Sequence, residues 1–335
     1  MIEAHAVDAW TRTSDRASAV YRDAIIAGGF AAPLFLWLAG LALVLSAASA
    51  ARREGSRTAG MDLVCRRGLE IFILAFLFRL QAFIVTPGSH PVTLFRVDIL
   101  NIMGLAIAAA GIVWGLAPSP RAAAVAYSAL AALVAILAPI VRTTGAVDAL
   151  PLWIQWYVRP AGEHTTFTVF PWGGFVFAGA ALGIVLAYTR REVEGFVHAC
   201  AASAGVLVVA IGFYTASLPT LFRGSSFWTS SPSYFSIRVG LLMLALAGLY
   251  ALERMGRVVR PALGPLEYLG RRSLFVYWIH VELVYGYATW PLHQRLPLWG
   301  TAVAYVMFTT LLYGAAMFVD AIGTSSVRRR TVAAG

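Results

Sequence analysis

The chain has 335 residues, of which 59% are hydrophobic and only 13% charged, about half the charged share of an ordinary soluble domain. A mean hydropathy of +0.74 agrees, because a surface that apolar does not stay dispersed in water. The formal charge of +10 comes from 26 arginines and no lysine, without the interleaved aromatics of a nucleic-acid site, so that partner class is excluded.

The composition is that of an all-α polytopic membrane protein. A crossing takes roughly 20 mostly apolar residues, and nine stretches qualify, over 25–50, 68–86, 97–116, 122–141, 169–188, 196–217, 234–252, 271–288 and 299–321. Residues 1–24 carry seven charges and lack the apolar stretch of a signal peptide. Turn residues such as Pro87-Gly88, Pro118-Ser119-Pro120 and Pro219 punctuate the breaks. The expected organisation is one integral-membrane domain, with an outer segment 1–24, a helical bundle 25–321 and a basic tail 322–335.

Arginine placement orients this bundle of about nine helices. Arg52, Arg53, Arg57, Arg66, Arg67, Arg121, Arg190, Arg191, Arg254, Arg257, Arg260, Arg271, Arg272 and Arg328 to Arg330 put 16 on one side, against eight on the other. The richer side is cytoplasmic, which places the C-terminus inside and the N-terminus outside. The setting is an integral membrane, read as a bacterial inner membrane.

Charges at bilayer depth cost about 2.5–3.5 kcal/mol each on insertion scales, so each needs a reason. The candidates are Arg79 with Gln81, Asp98 with Asn101, Arg238, and His280 with Glu282. A rise of about 1.5 Å per residue carries Arg79 past the midplane and leaves His280 close to it. The spacing i, i+3 puts Asp98 and Asn101 on one helix face. Two arginines and two acids can neutralise each other in one polar cavity of the outer half; an ion-pair cluster that merely holds the bundle together explains them too. For His280, a catalytic role and a hydrogen bond to a neighbouring helix are both open. Glu282, two residues on, need not share its face. Gly179 and Gly183 form a GxxxG suited to close helix packing. Cys65 and Cys200 are too few and too isolated for a disulfide scaffold or a zinc site. Glu163-His164 alone is too small a ligand set, so no metal is expected.

Five strings in order carry a resemblance: Met1 to Trp10 with His5; Gly29 to Gly40; Arg96-Val97-Asp98-Ile99-Leu100-Asn101; Phe170-Pro171-Trp172-Gly173-Gly174-Phe175; and Gly270 to His280. The set resembles the heparan-alpha-glucosaminide N-acetyltransferase catalytic family, part of the wider transmembrane acyltransferase group. The resemblance implies transfer of an acetyl or other acyl group from acyl-CoA, with acetyl-CoA the usual co-substrate, to a hydroxyl or amine acceptor across the membrane. An envelope sugar or glycan fits that acceptor. It also implies that His5, Asp98 and His280 are catalytic. In the family a helix precedes the histidine motif, so a longer form supplying that helix upstream of His5 is expected.

Acyl transfer from a thioester needs a base, an oxyanion partner and a site without bulk water. His5 suits the base, or could carry the acyl group itself, with Asp8 to orient it if this stretch is helical. Arg79 or Arg238 suits the oxyanion, with Asp98 holding the arginine. Arg66, Arg67, Arg271 and Arg272 suit the phosphates of acyl-CoA, although the positive-inside rule explains any one of them. The competing class is a transporter or flippase with a buried polar pathway, which paired broken helices or inverted repeats would favour.

Overall fold

The computed structural model describes residues 1–220, 222, 224–256 and 260–333, and their side chains apart from those of 260–263 and 322–333. Arg223 and Arg257, and the side chains of Arg260 and Arg328 to Arg330, which enter the orientation argument, lie outside the described residues. Among the described residues, thirteen α-helices follow in order: α1 Ile2–Trp10, α2 Ala19–Gly28, α3 Ala31–Glu54, α4 Arg57–Val85, α5 Ile99–Leu116, α6 Pro120–Thr143, α7 Leu152–Val158, α8 Val169–Ala187, α9 Glu194–Ser217, α10 Pro232–Arg254, α11 Arg260–Arg271, α12 Ser273–Tyr285 and α13 Leu298–Ala333. Among the described residues, β structure is confined to two isolated bridges.

Eight of the nine expected spans appear as helices long and apolar enough to cross a bilayer. The first combines α2 with α3 over Ala19–Glu54. The remaining one, expected over 271–288, is different. Its helix α12 has only 13 residues, about 20 Å against a hydrocarbon core of about 30 Å. Gly286 turns extended at φ −84° and ψ 179°, and the chain continues as a 3-10 segment over Tyr287–Leu292. The apolar run is real, but Gly286 ends the helix inside it.

Local chemistry sets the helix ends. Ser119 accepts a hydrogen bond from the amide of Ala122 at 3.1 Å, and Pro120 starts α6 at a position where its missing N–H costs nothing. Past α3, Gly55 takes φ +66°, a conformation that stops a helix and favours glycine. Asp98 caps α5: its carboxylate accepts from Ile99, and Asn101 accepts from the Asp98 amide at 2.9 Å.

Contacts divide the chain into two compact units. The larger holds Ala32–Leu80 and His90–Ala251. There α8 packs most extensively on α6 and also on α5. Small residues let backbones meet: a Cβ on Gly179 would overlap the carbonyl of Trp37 in α3, one on Gly40 that of Val176 in α8, and one on Gly183 would lie 2.9 Å from the Leu41 carbonyl. The GxxxG of α8 is therefore a packing device. Gly68 of α4 against Gly104 of α5, and Gly205 of α9 against Gly240 of α10, repeat it.

The smaller unit joins Met1–Ala31, Gln81–Ser89 and Leu252–Gly335. The segment 1–24, expected as an outer segment, contributes buried residues to this unit. Ala6, Ala9 and Trp10 of α1 are buried with Val284 of α12 and covered by Leu292, Leu296, Tyr305 and Phe308. Trp10 meets the Phe308 ring edge-on at 5.5 Å and donates to Thr289 at 3.3 Å. Backbone bonds tie the end of α1 to the approach to α13, with Leu296 donating to Trp10 and Arg12 to Leu296, both at 2.9 Å. Asp15 then accepts from the amide of Leu298 at 2.9 Å, satisfying an orphan donor at the start of α13. The hydrogen bond from Arg12 at 2.8 Å, together with the Leu298 amide, holds the Asp15 carboxyl below the usual carboxylate range.

Candidate active site

Helix α1 carries His5 and Asp8 on one stretch, and α12 carries His280 and Tyr285. The pairing of α1 with α12 brings the two imidazoles to a centroid separation of 5.2 Å, tilted by 50°. His280 is fully buried. Its Nδ1 lies 2.6 Å from the carbonyl of Val276. A carbonyl only accepts, so Nδ1 bears the proton, and the lone pair is on Nε2. That Nε2 is buried without a hydrogen-bond partner. Such a nitrogen is a proton acceptor that water does not compete for.

His5 is oriented from the other side. Its Nδ1 is 3.2 Å from the hydroxyl of Tyr285, and that hydroxyl donates to Asp8 Oδ2 at 2.8 Å. The His5 and Tyr285 rings meet edge-on at 5.6 Å. Arg16 folds back to donate to the Asp8 carbonyl at 2.6 Å and the Thr11 carbonyl at 3.2 Å, closing the C-terminal end of α1. Asp8, expected to orient His5 from a helix, reaches that ring through the Tyr285 hydroxyl. Tyr285 had one usable signal, a hydroxyl in the last turn of the span that also holds His280.

Glu282 is buried. It lines a cavity of about 340 Å³ with Gln81, Ile84, Val85, Ile279, Leu283 and Gly286. Trp278 donates to Gln81 in the same region.

In the larger unit, Arg79 and Asp98 form the expected ion pair. One Asp98 oxygen takes Arg79 and the other takes the amide of Ile99, so both are engaged. The reading of Asp98 and Asn101 as neighbours on a helix face is corrected: Asp98 precedes the helix as its cap. The D-x-x-N pattern before an apolar run was the signal. Burial lifts the Tyr157 hydroxyl above its ordinary range, opposed by a hydrogen bond from Asn101. Arg238 donates to the Tyr234 hydroxyl at 2.7 Å and lies 4.0 Å from that ring's centroid and 5.8 Å from that of Trp172.

The four arginines considered for acyl-CoA each meet a carboxylate. Arg66 and Arg67 pair with Glu70 at 3.2 and 3.1 Å, Arg271 pairs with Glu267 at 2.6 Å, and Arg272 pairs with Asp320. Asp320 also accepts from Tyr268 at 2.5 Å. Among the described residues, no three His, Cys, Asp or Glu side chains converge as a metal site would require.

A family model for the catalytic region of heparan-alpha-glucosaminide N-acetyltransferase matches residues 1–218. The chain belongs to that family. Membership makes it a membrane acetyltransferase in general terms. The match includes His5, Asp8, Arg66, Arg67, Arg79, Asp98 and Asn101; Arg238, Arg271, Arg272, His280 and Glu282 lie beyond it. No curated protein matches the chain.

Proposed function

We propose that this acetyltransferase moves an acetyl group from acetyl-CoA to a hydroxyl or amine of an envelope sugar or glycan, with the chemistry at His5 and His280. The observation that supports it is the pair of imidazoles 5.2 Å apart, one of them fully buried with an unpartnered Nε2. His280 Nε2 takes the acceptor's proton as the acceptor's oxygen or nitrogen attacks the thioester carbon. The carbonyl π electrons move onto oxygen and return as the C–S bond breaks. Coenzyme A leaves as the thiolate and recovers the proton. A desolvated neutral imidazole suits this step because no solvent dipoles must first be stripped from its lone pair. His5 serves as second imidazole, either binding the acceptor or carrying the acyl group in transit. Arg79, Asp98, Asn101 and Arg238 are assigned support of the bundle, and Arg66, Arg67, Arg271 and Arg272 the attraction of coenzyme phosphates.

Purified protein in detergent, radiolabelled acetyl-CoA and a panel of glucosamine-containing glycans test the reading. Wild type should label at least one glycan, and His5→Ala and His280→Ala should not. Equal labelling by wild type and both variants would sink the assignment. The proposed inner-membrane orientation, C-terminus cytoplasmic, is tested by an impermeant thiol reagent on intact cells, which should reach Ser14→Cys and leave Ser326→Cys unlabelled.

A further inference from the structure

We infer that Tyr285 is a positioning residue which, with Asp8, fixes the tautomer of His5 and carries its charge when it is protonated; this rests on the acyl-transfer reading above for its purpose, though not for its chemistry.

The hydrogen-bond directions follow from what each group can do. The Asp8 carboxylate has no proton to give, so the hydroxyl proton of Tyr285 lies toward Oδ2, at 2.8 Å. The same hydroxyl oxygen then has lone pairs only for its other neighbour, His5 Nδ1 at 3.2 Å. His5 Nδ1 must therefore be the donor, and the lone pair of the neutral ring is on Nε2. Without this chain both tautomers of a solvated imidazole are available, and only one presents Nε2 as base or nucleophile. The chain also has a gradient of environment. Asp8 is exposed, Tyr285 and His5 are half-buried, and His280 beside them is fully buried. Protonation of His5 Nε2 thus places a positive charge that a carboxylate answers through one hydroxyl, and no proton needs to cross from Tyr285 for that.

Other groups around His5 enter the same balance. His280 and Tyr285 come from α12 and Asp8 from α1 itself, while Arg16 and, from α2, Tyr21 act on Tyr285. His280 opposes a charge on His5, whereas Asp8 favours it. The carboxylate is the group that the Tyr285 hydroxyl couples to the ring.

Diethyl pyrocarbonate tests this without an acyl donor or acceptor, because it carbethoxylates the lone-pair nitrogen of neutral imidazole. The rate of His5 modification in the full-length protein is followed by mass spectrometry from pH 5 to 9. Wild type should give a single midpoint. Tyr285→Phe and Asp8→Asn should each lower it by about one unit, the scale of a lost carboxylate interaction. The double variant should shift no further than either single one, since both cut the same chain. Asp8→Glu should restore most of the shift. Midpoints unmoved in both single variants, or shifts that simply add, overturn the inference, and a lowered melting temperature with an unmoved midpoint marks a structural contact only. If Tyr285→Phe does not fold, the Asp8→Asn and Asp8→Glu pair decides. Shifted midpoints in a protein that transfers no acetyl group would leave the positioning intact and remove the proposed reaction.

Discussion

Asp98 in the larger unit has both carboxyl oxygens engaged, one by Arg79 and one by the backbone of α5. His280 in the smaller unit spends one nitrogen on a backbone carbonyl and leaves the other buried without a partner. Both are polar groups in an apolar setting, where an unmet hydrogen bond costs about 1–3 kcal/mol. The Asp98 carboxylate, held at both oxygens, contributes to stability. The unsaturated one is costly to keep, and its free nitrogen is the proton acceptor proposed above.

The comparison breaks most sharply at His280. His280→Ala should cut acetyl transfer by about 10²–10⁴-fold, the loss expected for a positioned proton acceptor, while the melting temperature holds or rises. A melting temperature that collapses together with activity would make His280 another saturated structural group. Asp98→Ala should show the reverse pattern. Stranding Arg79 should cost about 3–5 kcal/mol, read by thermal unfolding in detergent. Asp148→Ala, which removes the pair between Asp148 and Arg159 at a mostly exposed carboxylate, should cost at most about 1 kcal/mol. Equal losses would mean that burial does not separate the two ion pairs.

Packing supplies a smaller contrast. Gly179→Ala drives a methyl into the Trp37 carbonyl and should destabilise by about 1–3 kcal/mol. Gly248→Ala, where nothing lies within 4 Å, should be neutral or stabilise by up to about 1 kcal/mol. The smallest effect concerns Asp15. Its folded carboxyl titrates below the unfolded value of about 3.9, so its contribution is complete above that pH and fades as pH falls through the lower folded value. Wild type should therefore outlast Asp15→Asn at neutral pH, with the difference closing only below about pH 4; melting scans across pH 2–7 check it.

Hydropathy made eight crossings legible because apolar length alone defines a span. It overshot at α12, where the pattern continues through Gly286 but the helix does not. The Arg79–Asp98 pair was readable from charge neutrality, whereas the cap at Asp98 was hidden by treating the residue as already helical. His5 and His280 were both singled out, and yet nothing in either neighbourhood announces the other. Tyr285 escaped for the same reason. Its bond to His5 joins positions 280 residues apart, and local periodicity carries no information on such pairings.

That separation also has a consequence in time. His5 is made before Tyr285 and before the residues of α13 that cover Trp10, with 280 residues between His5 and Tyr285. At about 5–20 residues per second, α1 waits some tens of seconds for the helices that complete its core. Throughout that interval Ala6, Ala9 and Trp10 have no native neighbours from α12 or α13. The larger unit can assemble from helices that follow one another, but the histidine pair closes only once α12 has been made. A ribosome stalled anywhere before α12 leaves a bundle in the membrane and no site.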